Sequence, residues 1–136
     1  MPIKFPKSGQ RLVAMLVLLS TATLPAIAAS EDDTQLARRY LRCAAFYLFG
    51  TSGVSKPELK QQLQQMANIS LYSAEVLMDK DRLRVKSEFD SAREKFLAET
   101  LSDEVKADAR GFLQYMGEHC NELRKNHRVP LPKPAS

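Results

Sequence analysis

The chain has 136 residues, of which 44% are hydrophobic and 26% charged, a length that suggests a single domain. Its formal charge of +4 reflects 20 basic against 16 acidic residues. Three of the basic residues, Lys4, Lys7 and Arg11, lie before Ala29, where there is no acidic residue. The remainder holds 17 against 16, too even a balance to argue for nucleic-acid binding.

The first segment has three parts. Lys4, Lys7 and Arg11 lead an apolar stretch that is densest from Leu12 to Leu19, and Pro25 then precedes the small-residue run Ala26-Ile27-Ala28-Ala29. This is the layout of a secretory signal peptide over residues 1–28, with an A-x-A site and cleavage after Ala28 or Ala29. Ser20, Thr21, Thr23 and Pro25 dilute the stretch, whereas a spanning helix needs about 20 predominantly apolar residues. No stable membrane insertion is therefore expected after processing. The short lysine-led signal is of bacterial type, and it places the mature chain in the periplasm, an oxidising compartment.

From residue 30 to 128 the sequence reads as one helical domain, with apolar residues recurring at threes and fours. The first helix is predicted from about Asp33 to Phe49, opened by acidic residues and ended by Gly50 and Gly53. A second starts near a Ser55 cap with Pro57 in its first turn, and carries Leu59, Leu63, Met66, Ser70, Ala74 and Leu77 on one stripe. A third carries Val85, Phe89, Ala92 and Phe96. The fourth starts at the Ser102 cap and carries Val105, Ala109, Phe112, Met116, Cys120 and Leu123.

Asp79-Lys80-Asp81 is polar without a breaker, so two architectures follow. One is an all-α, small four-helix up-down bundle; the alternative is three helices with one long central helix. A continuous helix over residues 56–100 would be about 67 Å long, far longer than its neighbours, which favours the four-helix form. Residues 129–136 hold Pro130, Pro132 and Pro134 and read as an extended or disordered tail.

Two cysteines in an oxidising compartment suggest one bridge. Cys43 lies on the stripe Leu36, Tyr40, Cys43, Tyr47, and Cys120 lies beside Met116 and Leu123, so both are expected to face the core from terminal helices. Their depths match slightly better in antiparallel helices than in parallel ones. A loop of about 78 residues closed this way removes roughly 4.5 kcal/mol of unfolded-state entropy in the chain-entropy model.

No sequence pattern supports a catalytic residue, metal site or cofactor. A c-type haem needs C-x-x-C-H, which does not occur. His119 and Cys120 are adjacent, so on a helix they point about 100° apart, which is poor zinc-ligand spacing. No G-x-S-x-G occurs, and pairs such as Glu75 with Asp79 read as solvated helix surface.

The first helix poses the functional question because it is apolar on nearly every side. Leu36, Tyr40, Cys43 and Tyr47 cluster on one face, while Leu41, Ala45, Leu48 and Phe49 fall on the other. A helix apolar all round is either central or covered by something else. The expectation is an interaction patch of Leu41, Leu48 and Phe49, rimmed by Arg38 and Arg42, which meets a protein partner or forms a homodimer seam. The function expected is that of an exported, soluble, non-catalytic helical protein that binds another macromolecule, as an inhibitor, immunity protein or adaptor does. The alternative is a carrier of a small apolar ligand or lipid, with a cavity lined by Tyr47, Phe89, Phe96, Phe112 and Met116. An enzyme is the lesser alternative.

Overall fold

A computed structural model describes residues 24–127 and 129–131, with side chains from Asp32 onward. Most of the predicted signal peptide and residues 132–136 of the predicted tail lie outside the described residues. The chain divides into two compact units, Met1–Asp32 and Asp33–Ser136, and the second carries all that follows. The described helices are α1 (Leu24–Gly53), of which the second unit holds the part from Asp33, α2 (Pro57–Leu77), α3 (Arg82–Thr100), α4 (Asp103–Ala107) and α5 (Ala109–Asn126). The all-α bundle with its Cys43–Cys120 bridge is therefore the fold.

Local chemistry accounts for the places where the boundaries differ from expectation. Helix α1 does not stop at Gly50. No described glycine has positive φ, so the left-handed glycine cap is not formed. Instead the Thr51 and Ser52 hydroxyls donate to the Leu48 and Phe49 carbonyls, at 2.6 and 2.7 Å, and satisfy acceptors of the last turn. Gly50 serves packing: a Cβ there would lie 3.3 Å from Leu63 Cδ1 of α2. Ser55 does not cap α2 either. The cap position is Lys56, without a side-chain bond, and Pro57 starts the helix with its preset φ.

The α2–α3 break is real, which removes the long-central-helix alternative. Asp79 and Lys80 adopt left-handed φ of 55° and 60°, and Lys80 N–H donates to the Glu75 carbonyl at 2.8 Å. Asp81 then caps α3, its carboxylate accepting from Arg84 N–H at 3.1 Å. Two consecutive left-handed residues that are not glycine cost on the order of 1–2 kcal/mol each, offset by the packing that the reversal permits.

The predicted fourth helix is split in two. Ser102 caps α4 as expected, accepting from Val105 N–H at 3.3 Å. Asp108 then breaks the run and caps α5 by accepting from Gly111 N–H at 2.9 Å. A Cβ at residue 111 would collide with that same carboxylate, which explains glycine at this position.

Packing places α1 at the centre. It runs antiparallel to α5: Cys43 bonds Cys120, Tyr40 donates toward the Leu123 carbonyl, and Arg42 reaches Met116. It runs parallel to α3, since Thr34 meets Arg84, Arg38 meets Glu88, and Phe46 meets Phe96. In a square up-down bundle the parallel pair sits on the diagonal, apart. Here the diagonal is closed, and α2, α3 and α5 all reach α1. Small residues allow this approach: Ala37, Ala44 and Ala45 of α1 and Ala67, Ser70, Ser73 and Ala74 of α2 are all buried. The two serines cost little because their hydroxyls donate to the Met66 and Ile69 carbonyls. The predicted α2 stripe turns slightly, leaving Leu59 exposed and bringing Ala67 and Ser73 in.

Candidate functional site

At about 100° per residue, the buried positions of α1 (Cys43, Tyr47, Tyr40, Ala44, Ala37, Leu41 and Ala45) cover an arc of about 200°. The expected interaction patch divides accordingly. Leu41 is 0% exposed and belongs to the core of this chain, so it cannot meet a partner. Leu48 is half-buried against the core. The apolar far side is explained by the central position of α1. Phe49 differs, at 38% exposed, as do exposed Arg38 and half-buried Arg42.

What remains open on α1 is a narrow strip. Arg38, Phe49, Arg42, Phe46 and Arg39 fall within about 100° of arc and alternate cation with aromatic ring. Helix α3 borders one side of it. Arg38 grips Glu88 with two bonds, Nε to Oε2 at 3.1 Å and Nη2 to Oε1 at 3.0 Å. That bidentate bond, helped by the charge of Arg38, holds the Glu88 carboxyl below its usual range although partial burial opposes it. Arg42 donates to Glu99 at 3.0 Å and to Met116 Sδ at 3.5 Å. Between the two ion pairs lies a groove of about 450 Å³ whose lining includes Ser91, Ala92, Lys95 and Phe96. The pairs are partly exposed, so their role is to orient the arginines more than to stabilise the fold.

Helix α5 borders the other side. Tyr115 is exposed and stacks on His119 at 5.9 Å between ring centroids, with planes 14° apart. Burial lowers the His119 pKa, and the charges of Arg39 and Arg42 lower it further, against Glu122, which raises it. Arg39 is exposed and has no acidic ion-pair partner among the described residues.

Phe96 anchors the strip from beneath. It is 1% exposed and meets Phe46 at 6.2 Å, Phe49 at 5.6 Å and Phe112 at 5.8 Å. Phe49 thus has one face on the core and its other side toward solvent. Leu97 and Leu101 of the α3 end and Leu113 of α5 are exposed on the segments that adjoin Phe96 and Phe112. Sequence reasoning placed Arg38, Arg42 and Phe49 in the patch and did not assign Arg39, Phe46, Tyr115 or His119 to it. The i,i+4 spacing of Tyr115 and His119 was a usable signal; their meeting with α1 depends on the antiparallel pairing of α5.

Tyr47, Phe96 and Met116, expected to line an internal cavity, are buried members of the packed core, with Phe89 and Phe112 half-buried against it. Cys120 is consumed in the bridge and is no metal ligand. Among the described residues no three His, Cys, Asp or Glu side chains group as metal ligands would, and no helix is long and apolar enough to cross a membrane. In comparison with known proteins the chain matches no family model, and it has no significant match among curated proteins or solved structures.

Proposed function

We propose that the chain is an exported, non-catalytic helical protein of the bacterial envelope that binds another protein through the open strip of α1. The observation that carries this reading is the composition of the strip. Arg38, Arg39, Arg42, Phe46 and Phe49, flanked by Tyr115, are residue types enriched at protein interfaces, and arginine and tyrosine are among those that dominate binding energy there. The arginines near α3 are held by Glu88 and Glu99, so little side-chain freedom is lost on docking. Arg39 supplies a free cation for an acidic group of the partner. Export rests on the tripartite start of the sequence, and the periplasm is the compartment that its bacterial-type signal implies.

Two measurements test this reading. Intact mass of the exported protein should begin at Ala29 or Ser30; a mature pool that retains residues 1–28 would remove the periplasmic assignment. For the interface, a photocrosslinking residue at Phe49 should yield one adduct of defined mass in the native envelope, whereas the same residue at exposed Gln64 of α2 should not. An Arg39→Glu, Tyr115→Ala variant carrying the Phe49 crosslinker should keep its helicity and its disulfide and lose the adduct. Equal labelling from both positions, or an adduct that survives the variant, would exclude the strip as the interface.

A further inference from the structure

The side of α1 opposite the strip carries a second feature, independent of the interface reading. Tyr40 is buried there, and its hydroxyl donates to the carbonyl of His127 just past the end of α5. Beside it a groove of about 660 Å³ opens between α1, α2, the end of α5 and the extended segment after it. Ile69 and Ser73 of α2, Tyr40, and Val129, Pro130 and Leu131 form its walls. Arg124 and Lys125, in the last turn of α5, stand at its border.

The polar atoms of the walls are already used. Tyr40 donates to His127, and Ser73 donates to the Ile69 carbonyl at 2.9 Å, so the groove presents mainly hydrocarbon. The cations are in the opposite condition. Among the described residues the Arg124 guanidinium donates only to neutral acceptors, Met66 Sδ at 2.8 Å and Asn121 Oδ1 at 3.1 Å. Among the described residues neither Arg124 nor Lys125 has an acidic ion-pair partner. A volume of this size is ordinary for a small-molecule site, where apolar walls supply affinity and a few polar groups set orientation.

From this pairing we infer that the groove binds a single-chain amphiphile with a carboxylate head, a long-chain fatty acid. The acyl chain lies along Ile69, Tyr40 and the Val129–Leu131 wall, and the carboxylate meets Arg124 and Lys125. A neutral lipid leaves the two cations without a use. A small inorganic anion leaves the apolar walls without one.

The test titrates dodecanoate, octanoate and dodecyltrimethylammonium, each below its micelle concentration, into the oxidised full chain labelled for amide NMR. Dodecanoate should bind saturably at one site and shift the amides of Ile69, Ser73 and Leu131. Each methylene is worth about fourfold in affinity when buried, so octanoate should bind more than tenfold more weakly. The cationic amphiphile should leave those amides unshifted. An Arg124→Gln, Lys125→Gln variant alters only exposed side chains. It should lose about tenfold in dodecanoate affinity and keep its melting temperature. Absence of saturable dodecanoate binding, equal affinity for octanoate, equal response to the cation, or unchanged affinity in the variant would each overturn the assignment. A groove filled by residues 132–136 of the chain itself gives the first of these results.

Discussion

Cys43→Ala, Cys120→Ala should lower the melting temperature of the oxidised protein by more than about 10 °C, through a loss of about 2–5 kcal/mol. The two residues are 77 apart in sequence and join α1 to α5, so the bridge closes most of the folded chain into one loop. In the chain-entropy model the constraint acts on the unfolded state, and a loop this long lies near the upper end of the effect. Both sulfur positions are buried, at 1% and 3% exposed, so the double replacement also removes contacts from the centre of the bundle. The measurement is a pair of thermal melts of the native protein, with and without reductant, set beside the double variant. Reduced native protein and the variant should melt close together, well below the oxidised form. If reductant leaves the midpoint of the native protein unchanged, the bridge contributes nothing to stability.

Phe96→Ala should cost about 3–5 kcal/mol, enough to unfold a large fraction of a domain whose total stability is of order 5–15 kcal/mol. Phe96 is one of the largest fully buried side chains, and it is the point where α1, α3 and α5 meet through Phe46, Phe49 and Phe112. Truncation leaves a void bounded by two rings of α1 and one of α5, which cannot all move inward together. Phe49→Ala removes a ring that is 38% exposed and should cost well under half as much. Denaturant melts of the two single variants and the double variant give the coupling between the rings, expected at about 0.5–1.5 kcal/mol. The comparison also bears on the strip. If Phe49→Ala proves as costly as Phe96→Ala, then Phe49 is a core residue and the case for an exposed anchor fails.

The aromatic strip and the closed diagonal have the same origin. Small residues on α1 and α2 let α1 move into the middle of the bundle, so three helices surround it where two would in a square arrangement. The area left open on α1 is then narrow, and the arginines of the helix occupy it. Phe49, Leu97, Leu101, Leu113 and Tyr115 are exposed apolar residues around this border, a disposition suited to a small number of strong contacts.

The sequence by itself determined the helical class, the bridge, the Pro57 start and the Ser102 cap. Apolar spacing of three and four has no strand reading, and two core-facing cysteines on terminal stripes had one partner each. Ser102 capped its helix as its side chain requires. Asp81 and Asp108 were also legible in principle, as acidic caps three residues before the N–H groups they receive, but both sit inside runs whose apolar phase nearly carries across. The packing of the tertiary structure decides whether such a run bends. At Asp79 and Lys80 it decided for left-handed backbone in residues with no intrinsic need of it.

The role of the far side of α1 was beyond sequence reasoning for a related reason. Amphipathic analysis shows which faces are apolar, but not how many neighbours cover them. Leu41 and Phe49 are both apolar and both lie on the side of α1 away from Cys43, about 80° apart on a helical wheel. One lies beneath surrounding helices and the other at a border where α3 and α5 leave a gap, and only the crossing of those helices separates them. The same holds for the second groove: Tyr40, Ile69, Arg124 and Leu131 are far apart in sequence, and they meet because α2, the end of α5 and Val129–Leu131 border one face of α1.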